Sequence, residues 1–412
     1  MSRVVVTGGG AAGMMAAYAA AECGHDVVLI EKNEKLGKKL FITGKGRCNV
    51  TNACETDKLF DNMVSNPKFL YSAFYEFDNR RMMELLEQAG CPLKVERGER
   101  VFPVSDHSSD VIAALERLMR GSGVKVRLRT EVREVLVSDG AVTGVLLAGG
   151  ERLAAEAVVL AAGGLSYPST GSTGDGLRMA GQLGHTVQEC RPALVPMEIR
   201  ENWCGLLQGL SLKNVSLTMA CGTKKIWQGF GEMLFTHFGI SGPLVLSASS
   251  YYGKCRDRDN VTVTVDLKPA LTTEQLDRRI LRDFDENPNK QFKNVAGGLY
   301  PAKLTPVMVS LSGIDGEKKI HEITRQERER FVSVTKGLTM HVSGLRGYAE
   351  AVITQGGVKV KEVNPSTMES KLVRGLYLAG EMLDLDAVTG GFNLQIAWST
   401  GHLAGSSIPA GR

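Results

Sequence analysis

The chain has 412 residues, 43% hydrophobic and 23% charged, enough for two or three ordinary globular domains with large cores. Its 49 Lys and Arg against 45 Asp and Glu give a net charge of +4, too mild to announce a nucleic-acid partner, and no apolar run of about 18 residues announces a membrane span. The 8 cysteines contain no CxxC pair, which excludes a zinc ribbon and a thioredoxin-type couple and predicts no metal site. With no secretory leader read at the start, they imply free thiols in a reducing cytoplasm.

In chain order, residues 4–6 are a β-branched run leading into Gly8, Gly10 and Gly13 at GxGxxG spacing. The first glycine permits the turn, the second lets backbone approach a pyrophosphate, and the third lets the following helix pack close to the strand. That helix, residue 11 to about 23, aims its N-terminal amides at phosphate. A second strand, 27–30, ends in Glu31, placed to accept the ribose hydroxyls of an adenosine. The arrangement is half of a nucleotide-binding fold.

The stretch 32–52 is rich in Lys, Gly and Asn and predicts a long functional loop rather than a core element, with Lys38, Lys39, Lys45 and Arg47 available to phosphates or an electron-rich ring. A solvated basic loop is the competing reading. Helical spacing follows over 67–90 (two helices) and 110–119. Residues 124–155 alternate with turns at Ser138-Asp139-Gly140 and Gly149-Gly150, predicting antiparallel hairpins. A buried strand at 157–162 ends in Gly163 and Gly164, then a Ser/Thr/Gly loop runs into a helix over 174–183.

From about residue 192 the texture changes. SLTMACG, KKIWQGF, NVTVTVDL and FVSVTKGLTMHVSGL are strand-like, whereas 273–300 and 302–312 are helix-like. The first texture returns with GLYLAGE at 375–381 and with VTGG opening a helix whose first amides belong to Phe392, Asn393 and Leu394, a geometry that stabilises developing negative charge. The order predicts an α/β fold: a discontinuous Rossmann-like nucleotide domain over 1–191 and 346–412, and an inserted domain over 192–345. The insertion is read as a β-barrel (192–270 and 331–345) with a small helical piece (271–330).

VTGGGAAG at the start, TGKGRCNVTN at 43–52, AAGGLSYPSTGSTGDG at 161–176, FTHFGISGP at 235–243 and GLYLAGEMLDLDAVTGGFNLQIAWSTG at 375–401 resemble, in order and over nearly the whole chain, one family of FAD-binding oxidoreductases. It includes the aminoacetone-oxidase-type enzymes and the bile-acid-inducible flavoproteins of gut clostridia. The resemblance implies a glutathione-reductase-like domain binding FAD. Gly8, Gly10 and Gly13 would hold the pyrophosphate, Glu31 the ribose, and the Val132 backbone the adenine. Arg47, Cys48 and Asn49 would lie beside the isoalloxazine, Gly163 and Gly164 would pass under the cofactor, and Glu381 would reach the ribityl hydroxyls. Asn393, Leu394 and Gln395 would face the pyrimidine edge, and Ala12, Lys32, Ala162, Gly380 and Gly391 complete the cofactor set.

A flavin supplies the electron chemistry, so side chains that assist it are harder to read. His237 is the candidate proton donor or substrate orienter and Tyr167 the candidate donor to a substrate carbonyl; a packed structural histidine competes for the first. Cys48 either reacts at the ring or packs beside it. The resemblance implies reduction of conjugated C=C bonds in 3-oxo bile-acid (steroid enone) intermediates, with an aminoacetone-type amine oxidase and a tRNA-modifying flavoprotein as alternatives. A non-catalytic flavin-binding role is the further one. No second GxGxxG unit follows the first, so NAD(P)H would bind transiently or oxygen would reoxidise the flavin. The small-molecule readings predict a steroid-like or small-amine substrate, no nucleic acid and no membrane.

Overall fold

The computed structural model describes residues 1–255 and 257–410. The chain divides into two compact units, Met1–Ala193 with Gly347–Arg412, and Leu194–Arg346.

The first unit is built on a five-stranded parallel sheet in the order Leu376–Leu378, Ala157–Leu160, Arg3–Thr7, Asp26–Ile30, Lys125–Arg127. Its central strands are buried on both faces, and Val4–Val6 and Ala157–Leu160 are accordingly unbroken apolar runs. The alanine-rich helix Ala11–Glu22 packs along the C-terminal helix Phe392–Ser406, where Gly401 and Gly405 let the two backbones approach at Ala12 and Ala16. A three-stranded meander, Val132–Ser138, Ala141–Leu147 and Arg152–Ala154, lies in the same unit.

Three expectations change here. Lys125–Arg127, read as part of the hairpins, is instead the parallel edge strand beside Asp26–Ile30. The loop 32–52 holds a short helix, Lys38–Ile42, anchored by buried Leu40, and a strand, Thr51–Asn52, paired with Arg100–Pro103. A two-stranded antiparallel sheet, Val187–Ala193 with Ile353–Val358, was not anticipated. Pro192, Gly356 and Gly357 read locally as strand breakers, and only pairing across the whole of the intervening second unit's chain makes them strand.

The second unit is a closed six-stranded barrel in the order Met197–Ile199, Gly239–Ser241, Lys224–Thr236, Ser211–Cys221, Val261–Asp266, Leu338–Leu345. Here alternation is strict: Val261, Val263 and Val265 point inward, as do Leu338, Met340 and Val342. Helices Thr273–Asp285, Phe292–Ala296, Thr305–Ser312 and Arg325–Lys336 form the helical piece, with Phe292, Phe331 and Tyr300 meeting edge to face. FVSVTK, expected as strand, is the end of the last of these helices. Thr324 and Glu327 form a reciprocal capping box that starts it, and the helix stops at Gly337. Cys221 and Cys255 are paired as a disulfide, which corrects the expectation that every thiol is free. The other six cysteines are free.

Among the described residues no helix is long and apolar enough to cross a membrane, and no cluster of three or more His, Cys, Asp or Glu side chains is arranged to hold a metal.

Candidate functional site

A cleft opens at the carboxyl ends of the parallel strands in the first unit, enclosing about 1370 Å³ of space that is partly open to solvent. It is lined by the turn after the first strand (Gly8–Ala12), by Glu31–Asn33 after the second, and by Ala161–Gly163 after the Ala157–Leu160 strand. Glu381 follows the Leu376–Leu378 strand, and Asn393 and Leu394 open the C-terminal helix. This is where open α/β sheets bind their ligands.

Close backbone approach shapes the turn. Gly8 has φ +97°, and a Cβ on it would lie 2.5 Å from the Ala161 carbonyl oxygen; a Cβ on Gly13 would overlap the Gly8 carbonyl oxygen. Nothing lies within 4 Å of a Cβ built on Gly10, so the backbone there faces open space at the start of the Ala11–Glu22 helix. Glu31 is buried, with Oε2 accepting from Gly9 N (2.7 Å) and Oε1 from Asn33 N (2.8 Å) and Asn33 Nδ2 (2.7 Å). A carboxylate offers about four acceptor positions, so one remains for a ligand hydroxyl.

Two ion pairs project into the cleft. Lys32 Nζ meets Asp175 Oδ2 at 2.5 Å and Thr173 Oγ1 at 2.6 Å. Burial pushes the Asp175 carboxyl up, but the hydrogen bonds from Lys32 and Thr173 and the Lys32 charge outweigh it and hold it below its ordinary value. Lys39 Nζ meets Glu381 Oε2 at 2.5 Å and also donates to Ser166 Oγ. Glu381 Oε1 accepts from Thr354 N at 2.8 Å and from Ser166 Oγ at 2.5 Å, and Thr354 Oγ1 in turn accepts from the amides of Leu165 (2.7 Å) and Ser166 (3.0 Å). Burial again opposes ionisation of Glu381; the Lys39 charge and these hydrogen bonds reverse it, and its pKa is lowered.

Of the residues expected at the cofactor, Gly8, Gly10, Ala12, Glu31, Lys32, Val132, Ala162, Gly163, Glu381, Asn393 and Leu394 line the cleft. Asn393 uses its carboxamide on Ala387, accepting from N at 3.0 Å and donating to O at 2.8 Å. Gly13, Gly164, Gly380 and Gly391 support from behind, packing against Gly8, Thr354, Ala12 and Thr51 respectively. Gln395 is fully buried, accepting from Thr51 Oγ1 at 2.6 Å and donating to Ser399 Oγ at 2.9 Å.

Arg47, Cys48 and Asn49 are not among the lining residues. The Arg47 guanidinium pairs with Glu96 and Asp106 and lies 4.2 Å over the Phe102 ring. Cys48 adopts φ 58° and is wholly buried, which pushes its thiol up to about 12 and removes thiolate chemistry at neutral pH. The Asn49 amide, oriented to suit its neighbours, donates to Thr51 O and Val101 O and accepts from Gly391 N.

Tyr167 is also outside the lining. It sits half-buried at φ 50°, heading the Pro168–Thr170 turn, its N–H donating to Tyr348 O at 2.9 Å. His237 belongs to the second unit, where it is exposed with its ring edge-on to Phe238. Sequence reasoning missed Asn33, Ser166, Thr354 and Asp175. Only Asp175 carried a local signal, an acid opening a helix after a glycine loop.

The donor set fits a flavin dinucleotide: helix amides and a glycine turn without side chains for the pyrophosphate, and a carboxylate with a spare acceptor position on either side of it. Together with the two-ended sheet and the closed barrel they define a Rossmann-type FAD-binding fold of the flavoprotein oxidoreductase class. The chain belongs to the family described as the HI0933-like protein Rossmann domain, which matches residues 2–407. It is 33% identical to the 3-dehydro-bile acid delta(4,6)-reductase of Clostridium scindens over 98% of both chains. It is 31% identical to the ribosomal RNA dihydrouridine synthase of Haemophilus influenzae over 99% of this chain and 98% of that one. The Sdh1 complex of Mycobacterium smegmatis in the apo form shares the fold at TM-score 0.52 and 20% identity, covering 98% of this chain and 67% of that one.

Proposed function

We propose that this protein is an FAD-dependent reductase of carbon–carbon double bonds conjugated to a carbonyl, with 3-oxo steroid enones of the bile-acid type as its substrates and NAD(P)H as its electron source. The observation that carries the reading is the end-to-end 33% identity to a bile-acid reductase, in a chain whose cleft presents a glycine turn and two carboxylates. Bound FAD would supply hydride to the electron-poor end of the double bond. The chain's own part is to seat the pyrophosphate on the Gly8–Ala12 turn, hold the ribose at Glu31, and orient the flavin half between Glu381 and the start of the Phe392–Ser406 helix. Either Tyr167 or His237 is the proposed hydrogen-bond donor to the enolate oxygen, alternatives tested as Tyr167→Phe and His237→Gln.

A second reading has a specific observation behind it. The relative at 31% makes dihydrouridine in ribosomal RNA, and saturating a uracil ring is the same conjugate reduction on a different substrate. Lys and Arg outnumber Asp and Glu in Leu194–Arg346, whereas the rest of the chain is close to balanced, so the mild total charge conceals an uneven distribution. Both relatives' names denote reductive chemistry, which puts the reductase ahead of the amine oxidase.

One anaerobic experiment separates the readings. The purified yellow enzyme is bleached with NAD(P)H, then offered in separate cuvettes an unsaturated 3-oxo bile acid and an unmodified ribosomal RNA fragment. Rapid reoxidation by the bile acid, with loss of its enone absorbance, is the expected result. Reoxidation by RNA alone moves the assignment to the second reading, and bleaching by a small amine but not by NAD(P)H defeats both.

A further inference from the structure

Three lysines line the cleft, and they differ in where they point their charge. Lys38 pairs with Glu34 (3.2 Å) and Asn33 (3.4 Å), and Lys32 is tied to Asp175 and Thr173. Lys39 reaches Glu381, beyond the end of the edge strand Leu376–Leu378. Its partner Glu381 follows the first strand in the sheet order and Glu31 follows the fourth. Three strand spacings of about 4.8 Å put the two carboxylates roughly 14 Å apart across the strand ends. A dinucleotide whose adenosine ribose is held at Glu31 and that runs along the strand ends would bring its redox-active half toward Glu381 and Lys39.

We infer that Lys39 is the charge that stabilises the bound flavin in its reduced state, held in place by Glu381, Ser166 and Thr354. This rests on the FAD reading above and adds to it the residue that sets the cofactor's potential. Two electrons and one proton taken up by a bound flavin leave one negative charge on its ring system, and a fixed ammonium at that end of the cleft, its field partly offset by the Glu381 carboxylate, lowers the free energy of that state through its remaining N–H donor. An ammonium has three donors; among the described residues Ser166 and Glu381 accept two, and the third is available to the cleft. Thr354 braces the assembly, its amide on Glu381 and its hydroxyl receiving the Leu165 and Ser166 amides, so Lys39 is preorganised rather than swinging in solvent. A purely structural salt bridge tying residues 38–42 to the strand end would show the same distances, so the test must read the flavin itself.

The holoenzyme and its Lys39→Met and Lys39→Gln variants are compared anaerobically for flavin content, for midpoint potential by equilibration with a reference dye, and for affinity toward sulfite, whose flavin adduct carries the same negative charge. Both variants are expected to retain flavin, to bind sulfite at least tenfold more weakly, and to have their reduction equilibrium shifted at least tenfold, about 30 mV for a two-electron couple. Lys39→Arg is expected to restore most of both. Unchanged potential and sulfite affinity at full flavin occupancy overturn the inference and leave Lys39 a tether. Loss of flavin from both variants beside a loaded wild type also overturns it, making Lys39 a phosphate-binding cation. A wild type that takes up no flavin instead defeats the FAD reading beneath it.

Discussion

In the first unit the central strands are apolar on both faces, and the spacing between elements is set by glycines whose missing side chains let backbone meet backbone. In the second unit the barrel strands Val261–Asp266 and Leu338–Leu345 alternate, and the spacing is set by interlocking Val, Leu, Met and Phe side chains. The difference fits the proposed function. A cleft that is to bring backbone amides to a pyrophosphate cannot be filled with side chains. The barrel interior is packed in the ordinary way, side chain against side chain.

The largest effect is expected where a side chain is forced into a backbone contact. Gly13→Val puts carbon atoms onto the Gly8 carbonyl oxygen, which cannot move aside without breaking the turn. The expected outcome exceeds the roughly 1–3 kcal/mol of ordinary overpacking. The measurement is the ratio of flavin to protein absorbance after purification; a yellow, soluble variant of normal melting temperature would break the comparison.

A truncation in the barrel core comes next. Leu217→Ala removes a fully buried side chain and is expected to cost about 2–5 kcal/mol. Hydrogen exchange should locate the loss of protection in Leu194–Arg346, with flavin content unchanged. Protection lost first in the parallel sheet would show that the two units are not energetically distinct.

The smallest effect is electrostatic and confined to the helical piece. Glu327 accepts from Lys318 Nζ at 2.8 Å and from Thr324 N at 2.7 Å, contacts that lower its pKa to about 2. A carboxyl lowered in the folded state stabilises it above the unfolded value near 4.5, and that contribution is lost as pH falls toward 2. Glu327→Gln should therefore reduce stability modestly at pH 6 and flatten its fall between about pH 4.5 and 2, read from urea melts across that window. An unaltered acid limb would remove Glu327 from the account.

Much of this was legible beforehand, for local reasons. The strand, glycine turn, helix and acid from Val4 to Glu31 are contiguous, and each residue's role follows from its neighbours within a few positions. The barrel strands at 261–266 and 338–345 show their period directly. FVSVTK misled because β-branched residues suit a strand, while the capping box that starts its helix lies several residues earlier. The RCN stretch stays out of the cleft lining for a different reason: Arg47 is drawn away by Glu96 and Asp106, and Cys48 turns its thiol inward through a left-handed backbone.

By itself the sequence determined the family, the alternation of the barrel, and the dinucleotide turn, because spacing along the chain dictates backbone geometry over one strand and one helix. Only the tertiary structure decided which charges share the cleft. Lys39 and Glu381 are 342 residues apart, Lys32 and Asp175 are 143 apart, and Thr354 arrives on a strand with no local signal of its own. Such pairs form when the sheet closes and desolvation makes an unpartnered charge costly, a condition that exists in the folded chain and nowhere along its length.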